Sequence, residues 1–158
     1  ELRKKQGIYD VTNLGLNYRL TDFQAALAIG QILRYKKNIN SRHKNAKKFI
    51  NIFSNLFKVK FQKFDRNHSY FVFQIFLNSE KLRDNIMNEF KKKNIGCSIH
   101  YATPVPLMSY YRKKYNHKRG DFPNAEKYGS TSISLPVHQS INEKMIKSIY
   151  KILNKFHD

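Results

Sequence analysis

Two short stretches hold side chains whose types and spacing could bind a ligand. The first is Gly15–Ala26, which reads Gly-Leu-Asn-Tyr-Arg-Leu-Thr-Asp-Phe-Gln-Ala-Ala. Asn17 and Arg19 lie there on the extended approach to a helix start. An amide and a guanidinium held in such a loop can grip a phosphate or a carboxylate, since both offer N–H donors to anionic oxygen. The same residues also describe an ordinary helix-entry loop with a surface arginine. The second stretch is Gly96-Cys97-Ser98-Ile99-His100-Tyr101, with Pro104 and then Tyr110-Tyr111 behind it. His100 falls on the less apolar side of an alternating segment, which suits a polar contact. A surface histidine, or one satisfied internally, is the other reading. Cys97 falls on the apolar side and reads as a small core residue, not a nucleophile. The six histidines lack zinc spacing, so no metal site is expected. The six glycines are too scattered for a phosphate-cradling loop, and no Ser-His-Asp arrangement can be argued from order alone.

These residues need elements to position them. Thr21 followed by Gln24 fits a capping box and opens a helix over 21–37. Its apolar positions, Phe23, Ala26, Leu27, Ile29, Ile32 and Leu33, wrap most of the way round, so it wants burial on more than one side. Ile39, His43, Ala46, Ile50 and Phe53 extend the helical spacing as a second helix or a bent continuation. From Lys58 to Gln62 the alternation suits an edge strand. Tyr70–Leu77 reads as a central strand with Phe71, Phe73, Ile75 and Leu77 on one face. Ser79 caps a helix over 80–93 with Leu82, Ile86 and Phe90 inward, ended by Asn94 and Gly96. Ile95–Tyr101 reads as the next strand. Short helices over 107–115 and 123–130 precede a brief strand at Ile133 and Leu135. Ser140 to Glu143 is a capping box for a last helix facing inward with Met145, Ile149, Ile152 and Phe156. The order predicts an α+β chain. A long linking helix is followed by a small antiparallel or mixed sheet covered by helices on one side.

At 158 residues the chain can build a core of its own, and 41% hydrophobic content is that of a globular protein. No apolar run approaches a membrane span, and a single cysteine rules out an internal disulfide framework. The cytoplasm is the expected location. The net charge of +19 invites a nucleic-acid reading. Against it, the bases are 22 Lys and only 8 Arg, and they are dispersed along the chain. Phosphate and base readout favours arginine's planar fork. A stand-alone domain that binds nucleic acid or another polyanion stays open as the alternative, as does a non-catalytic dimerising relative.

The run GLNYRLTDFQAA resembles the G-x-N-x-R-(M/L)-T-x-x-Q-A-A segment of the DegT/DnrJ/StrS sugar aminotransferases. Three later stretches resemble the family's other blocks in the same order: Gly96–Tyr101 with Pro104, Gly120-Asp121-Phe122-Pro123-Asn124-Ala125-Glu126, and Ser134-Leu135-Pro136-Val137-His138. The resemblance implies the C-terminal half of a pyridoxal-phosphate (PLP) enzyme of the aspartate-aminotransferase fold. Residues 1–56 would end the large domain and carry the interdomain helix, and residues 57–158 would form the small domain. The Schiff-base lysine would lie in an N-terminal half that this chain lacks, so the chain would be a fragment, inactive alone. Asn17 would bind the PLP phosphate of a partner subunit in a homodimer, and Arg19 would hold charge near the same pocket. His100 and Tyr101 would line the entrance for a nucleotide-diphosphate keto-sugar, with glutamate as amino donor. His138 reads as structural or at the pocket rim. Gln139 stands where the family usually has Pro, and the loop after Tyr101 lacks a frequent histidine. An aminotransferase and a PLP-dependent sugar dehydratase are not distinguished.

Overall fold

Thr21 closes the expected capping box. Its Oγ1 accepts the Gln24 N–H at 3.3 Å, and Gln24 Oε1 accepts the Thr21 N–H at 3.0 Å. Helix α1 then runs without a break from Asp22 to Phe53, so the second half is a continuation of the first. The computed structural model describes residues 15, 16, 18–56 and 58–156. The chain divides into two compact units, Glu1–Arg34 and Tyr35–Asp158. Residue 56, the expected end of the first segment, lies inside the second unit.

In the first unit the apolar residues of α1 are uncovered. Phe23, Leu27, Ile29, Ile32 and Leu33 are between 57% and 81% exposed. The sequence asked for burial on more than one side, and this unit does not provide it.

The second unit is built on a three-stranded antiparallel sheet in the order β1-β2-β3, with β1 at Lys60–Phe61, β2 at Phe73–Phe76 and β3 at Ser132–Leu135. Phe73 pairs with Leu135 and Ile75 with Ile133, while Gln74 pairs with Ser134 and Phe76 with Ser132. Side chains alternate across a strand, so the first two pairs share one apolar face and the last two the other. The apolar face meets the second half of α1: the Phe49 and Phe73 rings stack with centroids 5.0 Å apart. Helices α2 (Glu80–Lys92) and α5 (Glu143–Asn154) add Ile86, Phe90, Ile146 and Ile149 to the same buried cluster. Helix α3 spans Ser109–Tyr115 and α4 spans Pro123–Thr131. The other face is not bare either, because Phe76 packs edge-on against Tyr128 of α4.

Helix α2 is stopped as expected, and the mechanism is explicit. Asn94 takes φ +54, and the Ile95 and Asn94 N–H groups reach back to the carbonyls of Phe90 and Lys91 at 2.9 and 3.1 Å. That is a Schellman ending with Phe90 and Ile95 both buried.

Three expectations are corrected. Tyr70 takes φ +45, which breaks the alternation before β2 begins. Tyr70 is therefore fully buried and Phe71 is 74% exposed, the reverse of the expected face. The segment Ile95–Tyr101 is not a strand: only Ser98 pairs, with Ser134, before the chain turns at His100. The last helix is capped by Asn142, whose side chain accepts the Met145 N–H, not by Ser140. Ser140 instead gives its N–H to His138 Nδ1 in a preceding turn. The buried stripe of α5 shifts accordingly to Ile146, Ile149, Ile152 and Leu153.

The burial contrast at the start of β2 is directly testable. Phe73→Ala should cost about 3–5 kcal/mol of unfolding free energy, as for other buried phenylalanines. Phe71→Ala should change it by no more than about 0.5 kcal/mol. Urea melts of the two variants check this, and equal losses would contradict the register.

Candidate functional site

Of the first motif, Asn17 lies outside the described residues. Arg19 is exposed, and its φ of +43 puts it in the left-handed region that non-glycine residues seldom enter. It makes no ion pair among the described residues, so its guanidinium is available to an anion. Arg19 belongs to the first compact unit; His100 and Tyr101 belong to the second.

His100 is held from below. Ser98 and Ser134 exchange backbone hydrogen bonds of 3.2 and 2.7 Å, which ties the segment leading to His100 onto β3. The ring then lies on the polar face of the sheet, with Nδ1 2.9 Å from Ser134 Oγ. Ser134 Oγ in turn accepts from Gln74 Nε2 at 3.0 Å. Tyr101 stands edge-on to the His100 ring at 5.8 Å and is 59% exposed. Both side chains are thus presented to solvent at one corner of the second unit.

The chain continues from Tyr101 into the wall of a cleft of about 440 Å³, within the range of small-molecule sites. Thr103, Pro104, Arg112, Arg119, Lys127 and Ser130 line it. None of its three cations is ion-paired among the described residues. The cleft's two acids are already engaged: Glu80 pairs with Arg83 at 2.9 Å, and Glu126 Oε1 accepts the N–H groups of Gly120 and Phe122. Such a cleft suits a ligand with anionic oxygens. The sequence did not single it out, because its charges are drawn from a helix, a turn and another helix that approach only in the fold.

Other chemistry-bearing residues are spoken for. His138 is exposed; its Nδ1 accepts from the Ser140 N–H, and its carbonyl accepts from Asn45 Nδ2 at 2.9 Å. Cys97 is half-buried against the core, and burial pushes its thiol pKa up, which disfavours a thiolate. Among the described residues no cluster of His, Cys, Asp or Glu could hold a metal ion. No helix among them is long and apolar enough to cross a membrane.

The profile of the DegT/DnrJ/EryC1/StrS aminotransferase family matches residues 2–154. The chain belongs to that family. A transaminase of UDP-4-amino-4,6-dideoxy-N-acetyl-beta-L-altrosamine from Campylobacter jejuni is 28% identical over 166 residues. The match covers 98% of this chain and 42% of that enzyme. The spore coat polysaccharide biosynthesis protein SpsC of Bacillus subtilis is 27% identical, with 89% and 38% covered. Among solved structures, the Helicobacter pylori aminotransferase PseC, involved in pseudoaminic acid biosynthesis, superposes with a TM-score of 0.77 at 23% identity, covering 98% of this chain and 42% of that one. S. venezuelae DesV reaches a TM-score of 0.81 at 18% identity. These two share the fold, of which the three-stranded unit is the small domain. The chain spans about 40% of the length of the relatives it matches.

Within this DegT/DnrJ/EryC1/StrS chain, the Gly120–Glu126 block turns out to be a folding device. Gly120 takes φ +94, Glu126 staples its own turn, and Pro123 opens α4. Gly129, further along α4, is what lets the helix approach the loop after His100. A Cβ there would fall 2.6 Å from the carbonyl oxygens of Tyr101 and Ala102. Arg83, nearly fully buried, donates to the Gly129 carbonyl at 2.8 Å and locks α2 against the same spot. Its spacing, three residues before Ile86 and seven before Phe90 on the buried stripe of α2, was the available signal.

Gly129→Ala should therefore displace the Tyr101–Ala102 backbone and lower stability by about 1–3 kcal/mol, the usual cost of overpacking. Gly96→Ala, whose Cβ meets nothing within 4 Å, is the control. Amide NMR shifts of residues 100–103 should move in the first variant and stay in the second.

Proposed function

We propose that this chain is the C-terminal part of a PLP-dependent aminotransferase that aminates a nucleotide-linked keto-sugar, in amino-sugar biosynthesis for a polysaccharide or secondary metabolite. The observation that carries the reading is the cleft beside Tyr101. Three unpaired cations and two hydroxyl side chains line it, in a chain whose relatives include a UDP-sugar transaminase. Arg112, Arg119 and Lys127 suit the diphosphate, and His100 and Tyr101 suit polar groups of the sugar. The amino donor is glutamate, and the reaction runs in the cytoplasm.

The described residues fit PLP at one point. Arg19 offers an unpaired guanidinium, which suits the cofactor's phosphate. Asn17, outside the described residues, is proposed as its companion donor across a homodimer. When bound, PLP supplies the electron sink that transamination needs. The chain's own residues bind and orient: Arg19 fixes an anionic end, the cleft holds the nucleotide diphosphate, and His100 and Tyr101 aim the sugar. The exposed apolar residues of α1 support a protein partner for the first unit, and a second copy is the proposed one.

The test joins this chain to its lysine-bearing half and supplies PLP, glutamate and a nucleotide-linked keto-sugar. An amino-sugar and 2-oxoglutarate are expected from the joined protein and neither from the chain alone. A deoxygenated sugar would identify a dehydratase instead. Arg19→Ala should weaken PLP binding about tenfold, the equivalent of one charge-assisted hydrogen bond. Arg119→Ala should raise KM for the nucleotide sugar and leave kcat near its starting value, since it removes binding felt equally before and during the reaction. A fall in kcat with KM unchanged would instead make Arg119 a contact formed only in the transition state.

A further inference from the structure

Beneath His100 lies a chain of three side chains whose hydrogen atoms can be counted. Gln74 Nε2 donates to Ser134 Oγ at 3.0 Å, and Ser134 Oγ lies 2.9 Å from His100 Nδ1. Gln74 is 8% exposed and Ser134 is 2% exposed, so water does not complete their bonding. A serine hydroxyl has one proton to give. Its oxygen already accepts from Gln74, and the Ser134 backbone N–H and C=O are taken by Ser98. With Gln74 Nε2 facing the hydroxyl, the acceptor within reach of the Ser134 O–H is His100 Nδ1. Ser98 Oγ is 3.4 Å from both ring nitrogens and competes poorly. With the Gln74 amide in this orientation, the reverse arrangement, with Nδ1–H donating, would leave the Ser134 proton buried without an acceptor, which proteins avoid.

We infer that Gln74 and Ser134 are positioning residues that fix the tautomer of His100, so that its exposed edge presents Nε2–H as a donor to an acceptor oxygen of the ligand. A neutral imidazole carries one N–H; with Nδ1 accepting, Nε2 bears it. The ligand atom opposite is then a phosphate, carboxylate or carbonyl oxygen, and not a group whose only offer is a proton. The relay is set by register, since Gln74 and Ser134 are directly paired across β2 and β3. Gln74 Oε1 has no partner among the described residues. Turning that amide over would place Oε1 on the Ser134 proton and reverse every bond in the chain, which makes the direction measurable.

The relay itself does not depend on the proposed function; only the identity of the ligand does. The experiment is long-range 1H–15N NMR of the 15N-histidine-labelled chain with the imidazoles neutral. The His100 resonances are assigned by their loss in His100→Gln. Expected are a pyridine-like shift at Nδ1 and a pyrrole-like shift at Nε2. Pyrrole-like Nδ1 in the unaltered chain would overturn the inference, and this reading needs no variant to fold. Two variants add direction. Ser134→Ala should give averaged shifts at the two nitrogens. Gln74→Glu should reverse the tautomer, because the new carboxylate accepts from Ser134 and frees its oxygen to accept from Nδ1–H. A folded Gln74→Glu chain with the tautomer unchanged would also overturn it. In the joined enzyme, His100→Leu should raise KM for the nucleotide sugar about tenfold and His100→Gln, which keeps an N–H donor, should restore most of that. If the tautomer is as expected but neither variant moves KM, the relay stands and the substrate role of His100 falls.

Discussion

The pairing of β2 with β3 is the constraint on which the rest of the second unit depends. Its register puts Phe73, Ile75, Ile133 and Leu135 on one face and Gln74, Ser132 and Ser134 on the other. The first face is closed by Phe49 and Phe53 of α1, which make ring contacts with Phe73. The second carries the hydrogen bonds that reach His100. A slip of one residue would send the glutamine and serines into the core and the phenylalanine and isoleucines toward His100. The same alternation therefore holds the domain together and delivers its polar chemistry. The four largest residues of the apolar face act as the register's enforcement, since the cost of exposing them is far above that of any single hydrogen bond on the other side.

A second set of contacts converges on the short backbone after His100. Arg83 is buried with its charge, and that is tolerable because Glu80, Asp84 and the Gly129 carbonyl all receive its donors. Its reach pins α4 to α2. With α4 so placed, the missing Cβ of Gly129 leaves room for the Tyr101 and Ala102 carbonyls. The turn stapled by Glu126 fixes where α4 begins, and Arg119 sits within that turn. The cleft's cations are thus carried on a frame built from bonds that have nothing to do with a ligand. Such separation makes the Gly120–Glu126 block a scaffold element of the cleft.

What was legible in the sequence was local. Thr21 with Gln24, Ser79, and Asn94 announced helix ends, because a cap is a bargain between neighbours in the chain. The alternation around Phe73 announced β2 for the same reason. Tyr70 was misread because nothing in a Tyr-Phe-Val-Phe run signals a left-handed φ; the Asp65 N–H that bonds its hydroxyl comes from five residues upstream. The strand expected over Ile95–Tyr101 failed because alternation alone cannot say whether a partner edge continues, and here β3 offers a partner to Ser98 alone. In the site, His100 and Tyr101 were visible by type and by resemblance. Gln74, Ser134 and the three cations of the cleft were not, since each gains its role from a residue distant in the chain.

Helix α1 shows how one element can obey two environments. From Ala46 to Phe53 its buried positions fall on one side and pack into the sheet. From Phe23 to Leu33 apolar side chains surround it, and they are exposed. Basic residues make up 30 of the 158, yet from Asp22 to Leu33 there is no lysine or arginine at all. A compositional drift toward lysine would have reached this stretch as readily as any other exposed helix face. The stretch carries Asp22 as its one charged residue. An apolar-all-round helix persists in water only when covered. The cover must itself be apolar, since a polar one would leave its own groups unpaired against these side chains. The first half of α1 therefore leaves an apolar surface exposed, with the exposed Arg19 one turn ahead of it.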